Sequence, residues 1–575
     1  MDEFDVVVVG SGFGGSVTAY RVAAAGDHSV CVLERGRSYP PTSFPRSPYA
    51  FSRNFWDPPK GRFGLFEVWS FGHMDAIVSA GLGGGSLIYA NVLIRKDEHW
   101  FVSDTADGPS SWPVTRANLE PHYAAAEAML GAQAFPMHAA PYNQVPKAAQ
   151  FRRAAIAQGF AETTHDKVDP SNGQWYLPLL AVTFANDGQP PVPGQTIKEA
   201  HRNLHDRDRQ TCRLCGECDI GCNYGAKNTL DYNYLTLAKL HGAELRSLSE
   251  VKTFRPADGG GFLVRYIDHD GAEHGESREI EIRARHLVLS AGTIGTTRLL
   301  LQNAAALKAP LSPMLGHRFS GNGDLLMLLL EAHEQTSKGR QPLPLEASLG
   351  PVITGTIRSP DALDGAAAGS RGFYLQDAGY PGFLDWLLQA ASPDEVVGLA
   401  RFVVRRVKAH LFHGKTPNPN VDRDLEQLLS VTKLSADSMP LLGMGRDVPD
   451  GVFTLGKDDR LVLDWDKRRS QPFYDEVVKV GEGIGKSLDA RFIENPLTQF
   501  LGRLITVHAL GGCPMGTTRD EGVVDPWGRV HGVPGLHIAD GSVMPGPVGP
   551  NPSLTIAALA DRFSDQLLAD LNAGP

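Results

Sequence analysis

The stretch DVVVVGSGFGGSVTAYRVAAAGDHSVCVLERG, from Asp5 to Gly36, constrains the fold more than any other part of the chain. Val6 to Val9 form a continuous apolar run, the pattern of a short strand buried on both faces of a parallel sheet. Gly10, Gly12 and Gly15 then spell G-x-G-x-x-G. Such glycines give a tight turn, a close backbone approach to a pyrophosphate and close packing of the next helix on the strand. A helix through Ala19 to Ala25 is expected to end near Gly26. A second apolar run, Val30 to Leu33, delivers Glu34 about 20 residues after the glycines, where a carboxylate accepts hydrogen bonds from an adenosine ribose. Strand, glycines, helix, strand and terminal acid together define a dinucleotide site. The motif alone fits FAD and NAD equally.

A chain of 575 residues exceeds one simple core, so two or more domains are expected. An apolar fraction of 42%, with 62 glycines and 40 prolines, describes a folded protein rich in tight turns and long loops. The net charge of −10 is mild and no lysine or arginine run could track a phosphate backbone, so nucleic acid is not an expected partner. No transmembrane segment is expected either, because no apolar run reaches spanning length. The start MDEFDVVVVG enters a strand without a basic, apolar leader, which points to a cytoplasmic protein.

A second glycine loop, VSAGLGGGSLIYANVLIR, carries Gly81, Gly83, Gly84 and Gly85 before Ser86 and runs into an apolar stretch, Leu87 to Ile94. Consecutive glycines let backbone lie flat against a ligand and present unobstructed N–H groups. Toward the other end, LHIADGSVMPGPVGPNPSLTIAALADRFSDQLL reads as a strand, Leu536 to Ala539, then Asp540 and Gly541, a Pro/Gly-rich loop, and a helix from Ser553 to Leu568. Asp540 stands where a strand turns toward a helix start, a position suited to a ribityl or phosphate group.

These segments, with HLVLSAGTIGTTRLLLQN (His286 to Asn303) and VHALGGCPMG (Val507 to Gly516), resemble the glucose–methanol–choline (GMC) oxidoreductases, and within them the cholesterol-oxidase-like branch. The likeness is loose from about Leu311 to Phe500. The resemblance implies an α/β fold in which a discontinuous Rossmann-like FAD-binding domain carries an inserted α+β substrate-binding cap. Residues 1–123, 206–303 and 501–575 would form the FAD domain, and 124–205 and 304–500 the cap. It further implies that Gly10, Gly12, Gly15 and Glu34 hold the ADP half of FAD, and that Gly83, Gly84, Ser86 and Asn91 line the isoalloxazine and its linker. Val251 would meet the adenine through its backbone, and Asp540 would lie near the ribityl chain and pyrophosphate. Where sterol oxidases continue toward Asn-Gly-Gly, this chain has Tyr89-Ala90-Asn91.

Alcohol oxidation needs one group to take the hydroxyl proton and another to fix the substrate oxygen; a histidine suits the first task, and an amide or second histidine the other. His508, in TVHALGGCPMG, and Asn551, in GPNPSLTI, occupy loop positions beside the flavin-binding segments. The resemblance assigns them as this pair. The reaction implied is oxidation of an alcohol CH–OH, of a bulky apolar or sterol-like secondary alcohol, with His508 as proton acceptor and oxygen or another electron acceptor as partner. A dehydrogenase with a non-oxygen acceptor and a non-oxidising flavoprotein of the same fold, such as a lyase, are the alternatives. Cholesterol oxidases also use a mobile carboxylate over the sterol; Asp385 and, slightly earlier, Asp377 are the candidates here, and because Asp385 fits an amphipathic pattern a solvated helix-face aspartate is the better reading, so isomerase activity is not predicted.

Four of the six cysteines, Cys212, Cys215, Cys218 and Cys222, fall in TCRLCGECDIGCNYG. Their spacing, C-x2-C-x2-C-x3-C, is that of bacterial ferredoxins, although Asn223 replaces the ferredoxin proline and Cys31 and Cys513 are too few for a second cluster. A structural turn, a disulfide and an iron–sulfur cluster remain open readings, and no metal ligand is assigned.

Overall fold

The computed structural model describes residues 1–46, 53–105, 108–271, 277–307, 309–381, 436–494 and 503–573. Its first large sheet has seven strands. Glu3–Val9 sits centrally, pairing in parallel with Val30–Leu33 on one side and with Arg278–Leu289 on the other. Val6 to Val8 are wholly buried, as a strand covered on both faces requires. The helix Phe13–Ala25 follows and ends at Gly26 in the left-handed conformation, φ 87°.

The strand Arg278–Leu289 has two halves that pair differently. Arg278 to Ala284 pair antiparallel with Phe262–Asp268, whereas Leu287 to Leu289 pair in parallel with Leu536–Ile538. The sequence explains the division: REIEIRAR alternates polar and apolar residues, fitting a half-covered antiparallel ribbon, and HLVL is mostly apolar, fitting the parallel centre. The late strand thereby lands beside the first glycine turn. Ala539 N donates to Leu289 O at 3.0 Å, and Ser290 Oγ donates to Ala539 O at 2.6 Å. A Cβ on Gly14 would stand 1.4 Å from Ala539 O, so only glycine admits this contact. The C-terminal helix, Ser553–Asn572, packs on Phe13–Ala25 and on Arg116–Met129.

A second sheet, also of seven strands, runs in the order Ala161–Glu162, Gln174–Tyr176, Thr356–Ser359, Phe373–Asp377, Met439–Gly445, Leu325–Leu330, Arg491–Glu494. It is antiparallel apart from its first pair. Its core is separate from that of the first sheet and includes Met327, Leu329, Leu375, Leu441 and Val477, all fully buried. Because side chains alternate along a strand, Leu326 and Leu328, paired with Leu442 and Pro440, face the other way, toward a cavity between the sheets. Among the described residues no helix is long and apolar enough to cross a membrane.

Candidate active site

The two glycine loops meet back to back. A Cβ on Gly84 would lie 2.5 Å from Gly12 Cα, so side chains are excluded where the loops touch. Ser11 links them: its Oγ accepts from Gly83 N at 3.0 Å and donates to Glu34 Oε2 at 2.7 Å. Glu34 also accepts from Ser11 N and Gly36 N, at 3.0 and 2.8 Å. A carboxylate offers about four acceptor sites. These three protein donors therefore leave room for a ligand hydroxyl.

From Glu34 a cavity of ≈ 700 Å³ extends past Gly10, Gly12 and Gly84 to His508 and Asn551. That volume is in the range of sites for large ligands. Val251, Asp540 and Gly541 line it as well. Gly15, Gly83, Ser86 and Asn91 lie behind the wall. Gly15 backs the first strand, with Gly10 O 2.1 Å from where its Cβ would be. Ser86 Oγ is used within the loop, donating to Gly83 O at 2.7 Å and accepting from Leu230 N at 3.1 Å. Asn91 is fully buried, in the left-handed region at φ 70°, with its side chain beside Cys218. The neighbours Tyr89 and Ala90 line the cavity instead. Asp540 accepts from Ser542 N and Oγ, at 2.9 and 2.6 Å, and from Thr296 Oγ1; burial nevertheless pushes its carboxyl up.

At the far end His508 follows the short strand Leu504–Thr506, and its Nδ1 lies 2.6 Å from Asp324 Oδ1. The other oxygen of Asp324 accepts from Thr506 Oγ1 and Val507 N, both at 2.9 Å. The carboxylate thus ties down both the ring and the backbone that carries it. With Nδ1–H donated to Asp324, the Nε2 lone pair has no hydrogen-bond partner among the described residues.

Asn551 is held from the second sheet. Gln376, fully buried on Phe373–Asp377, donates Nε2–H to Asn551 Oδ1 at 2.9 Å, which leaves Asn551 Nδ2 free to donate. Its loop is clamped by two other side chains. Lys96 Nζ donates to Pro547 O and Val548 O at 2.8 and 3.0 Å, and Asn322 exchanges hydrogen bonds with Gly549 and donates to Pro550 O. Asp324 and Gln376 were not anticipated. Asp324 heads the apolar run LLMLLL, a polar residue at a strand start, but its partner is 184 positions away and no local pattern reveals it.

Asp377 corrects one expectation. It points opposite to Gln376, into the core, where Lys147 Nζ meets its Oδ2 at 2.9 Å and Thr354 N and Gly355 N donate to Oδ1 at 2.9 and 2.6 Å. All its capacity is used, so it is not a base over the cavity. Asp385 lies outside the described residues. The cysteines are all free, which removes the disulfide reading.

GMC oxidoreductase family models match residues 197–320 and 469–560. The chain is 29% identical over 574 residues to cholesterol oxidase of Mycobacterium tuberculosis (strain ATCC 25618 / H37Rv), covering 97% of this chain and 90% of that one. A cholesterol oxidase of Acinetobacter baumannii is 27% identical, with 97% and 93% covered. A formate oxidase of Aspergillus oryzae RIB40, in a structure concerned with the effect of a mutation on FAD modification, superposes with a TM-score of 0.58 at 15% identity, covering 99% of this chain and 98% of that one. Both matched segments are thus similar to GMC oxidoreductases, and the mixed α/β fold, with a Rossmann-like cofactor domain and a substrate domain, is shared with the formate oxidase.

Proposed function

We propose that this chain is an FAD-dependent alcohol oxidoreductase whose cofactor occupies the cavity running from Glu34 to His508. The cradle fits such a group: glycines excluded from bearing side chains, an acid with one acceptor site to spare, and continuous space past Asp540 to the catalytic end. Gly10, Gly12 and Glu34 would hold the ADP half, Val251 the adenine, and Gly84, Asp540 and Gly541 the remainder. Gly15, Gly83, Ser86 and Asn91 would shape the loops from behind. When bound, FAD supplies the acceptor for the hydride that leaves the carbinol carbon.

The single observation that carries the reading is that His508, locked to Asp324, and Asn551, locked to Gln376, open into the same cavity as the glycine cradle. His508 Nε2 accepts the substrate hydroxyl proton, and Asp324 compensates the charge that then appears on the ring. Asn551 Nδ2–H donates to the substrate oxygen and fixes its distance from His508. The floor formed by Leu326, Leu328, Pro440 and Leu442 favours a bulky apolar secondary alcohol of sterol-like character. Oxygen or another acceptor would reoxidise the enzyme, in a cytoplasmic setting.

The test is anaerobic mixing of the yellow protein with sterols, long aliphatic alcohols and small diols. Bleaching of visible absorbance by the bulky alcohols is expected, and peroxide on readmitting air identifies an oxidase. No bleaching with any alcohol would refute the reading.

A further inference from the structure

His508 and Asn551 are 43 positions apart in the chain, yet both are tied to one turn, Ser320 to Asp324, whose five residues are all buried. The turn brackets His508. Ser320 and Leu510 exchange backbone hydrogen bonds at 3.1 and 2.9 Å, and Thr506 Oγ1 lies 3.1 Å from Gly321 O. The last residue of the turn, Asp324, aims the His508 ring. Its middle residue, Asn322, clamps the loop of Asn551 through Gly549 and Pro550.

A turn of this shape needs support from outside. Asn322 and Gly323 are successive left-handed residues, φ 55° and 68°, and a Cβ on Gly323 would stand 2.5 Å from Phe473 Cζ. Left-handed backbone at a non-glycine residue persists where the surroundings over-determine it. Here they are the segment Gly445 to Asp447. Gly445 N donates to Asn322 O at 2.9 Å. The fully buried Asp447 carboxyl accepts from Ser320 Oγ, from Gly321 N at 3.1 Å and from the Gly323 backbone.

Burying a carboxyl is costly unless its hydrogen bonds are met, and those identified for Asp447 among the described residues all come from this one turn. The segment that carries Asp447 is anchored independently. Arg446 pairs with Asp104 and Asp361 at 3.1 and 2.7 Å, and Val448 N donates to Ser470 Oγ at 2.9 Å. Asp447 therefore joins a fixed frame to the turn that both catalytic side chains depend on. We propose that Asp447 is a positioning residue for both: by holding the turn Ser320 to Asp324, it sets where Asp324 aims His508 and where Asn322 holds the loop of Asn551. The role rests on the alcohol oxidation proposed above.

The experiment has two readouts on full-length, flavin-loaded protein, and the first needs no substrate. His508 Nδ1–H held by Asp324 gives a low-field proton resonance, identified by its loss in His508→Ala. Asp447→Ala should shift that resonance or broaden it by exchange with water. Asp447→Asn keeps an acceptor for Gly321 N and the shape of the neutral carboxyl, and should leave it in place. Ser320→Ala removes one of the bonds and should move the resonance in the same direction by less, which tests the same contact if Asp447→Ala does not fold. The second readout is anaerobic flavin reduction by the best alcohol, per bound flavin, at about pH 6, below the value of about 7 to which burial raises the Asp447 carboxyl. Asp447→Ala should slow it by about 10- to 100-fold, and Asp447→Asn should restore it to within roughly threefold of the parent. In a His508→Ala, Asn551→Ala background the same alanine change should cost less than about twofold, because the groups it positions are gone. An unmoved His508 resonance in folded Asp447→Ala or Ser320→Ala protein, or an equal loss of rate in both backgrounds, would overturn the proposal. A parent protein that no alcohol bleaches would instead refute the reaction, and the resonance would still decide whether Asp447 positions His508.

Discussion

At the scale of single residues, the proposed site divides into groups that would touch the substrate and groups that aim them. Replacing His508 by Ala removes the imidazole that faces the cavity, and a fall in kcat of about 10²–10⁴-fold is expected with the visible flavin spectrum unchanged. Asp324→Asn retains a hydrogen-bonding side chain of the same size but no longer fixes the tautomer of His508. Stopped-flow flavin reduction should slow by roughly 10²-fold, less than in the alanine variant at His508. Gln376→Leu releases Asn551, and a loss of about tenfold in kcat, equivalent to one hydrogen bond, is expected with the fold intact. His508 and Asn551 were readable because each is embedded in a motif that resembles the family's. Asp324 and Gln376 were not, because each sits at or in a strand whose local sequence, LLMLLL or FYLQD, describes packing only.

At the scale of elements, the two glycine loops and the late strand form one joint. Gly14→Val would drive side-chain carbon into the Ala539 carbonyl, and purified protein should contain little or no flavin, measured as the visible-to-ultraviolet absorbance ratio. A second element-level consequence concerns the turn before Leu325–Leu330. Asp447 is fully buried there, accepts from Ser320 Oγ and from Gly321 N at 3.1 Å, and sits near Asp324 and Tyr474; burial raises its pKa to about 7. A carboxyl raised in the folded state binds its proton more tightly there than when unfolded, so this group's contribution to stability falls as pH rises from its unfolded range through 7. Asp447→Asn has no such dependence. Relative to the parent it should gain roughly 2–3 kcal/mol in urea unfolding between pH 5 and pH 8. The short apolar strands and the capped helix after the first glycines were legible from their periodicity. The first half of Arg278–Leu289 went unread, because its alternating charges become meaningful only opposite Phe262–Asp268.

At the scale of the whole molecule, the cofactor cavity lies between two sheets with separate cores, so a bound group adds contacts to both. Stripping the flavin should lower the melting temperature, and adding FAD at about 1,000 times its Kd should restore roughly 4 kcal/mol. The division of the chain between the sheets follows from where flavin-like strands recur: near residue 6, near 287 and near 537. What the sequence could not convey is that the second sheet turns Gln376 toward the cofactor domain and Asp377 away from it. That orientation depends on register, which a single-residue shift would reverse.

The two-part pairing of Arg278–Leu289 has a consequence in time. Its parallel half waits, with an open edge, for Leu536–Ile538, nearly 250 residues later in synthesis. Until that strand docks, Asp540 is missing from the cradle and His508 has not yet been made or has no wall to rest on. Assembly of the cavity therefore waits on a strand made late: a chain cut before Leu536 would leave an open edge on Arg278–Leu289 and lack Asp540 and Asn551 from the cavity wall.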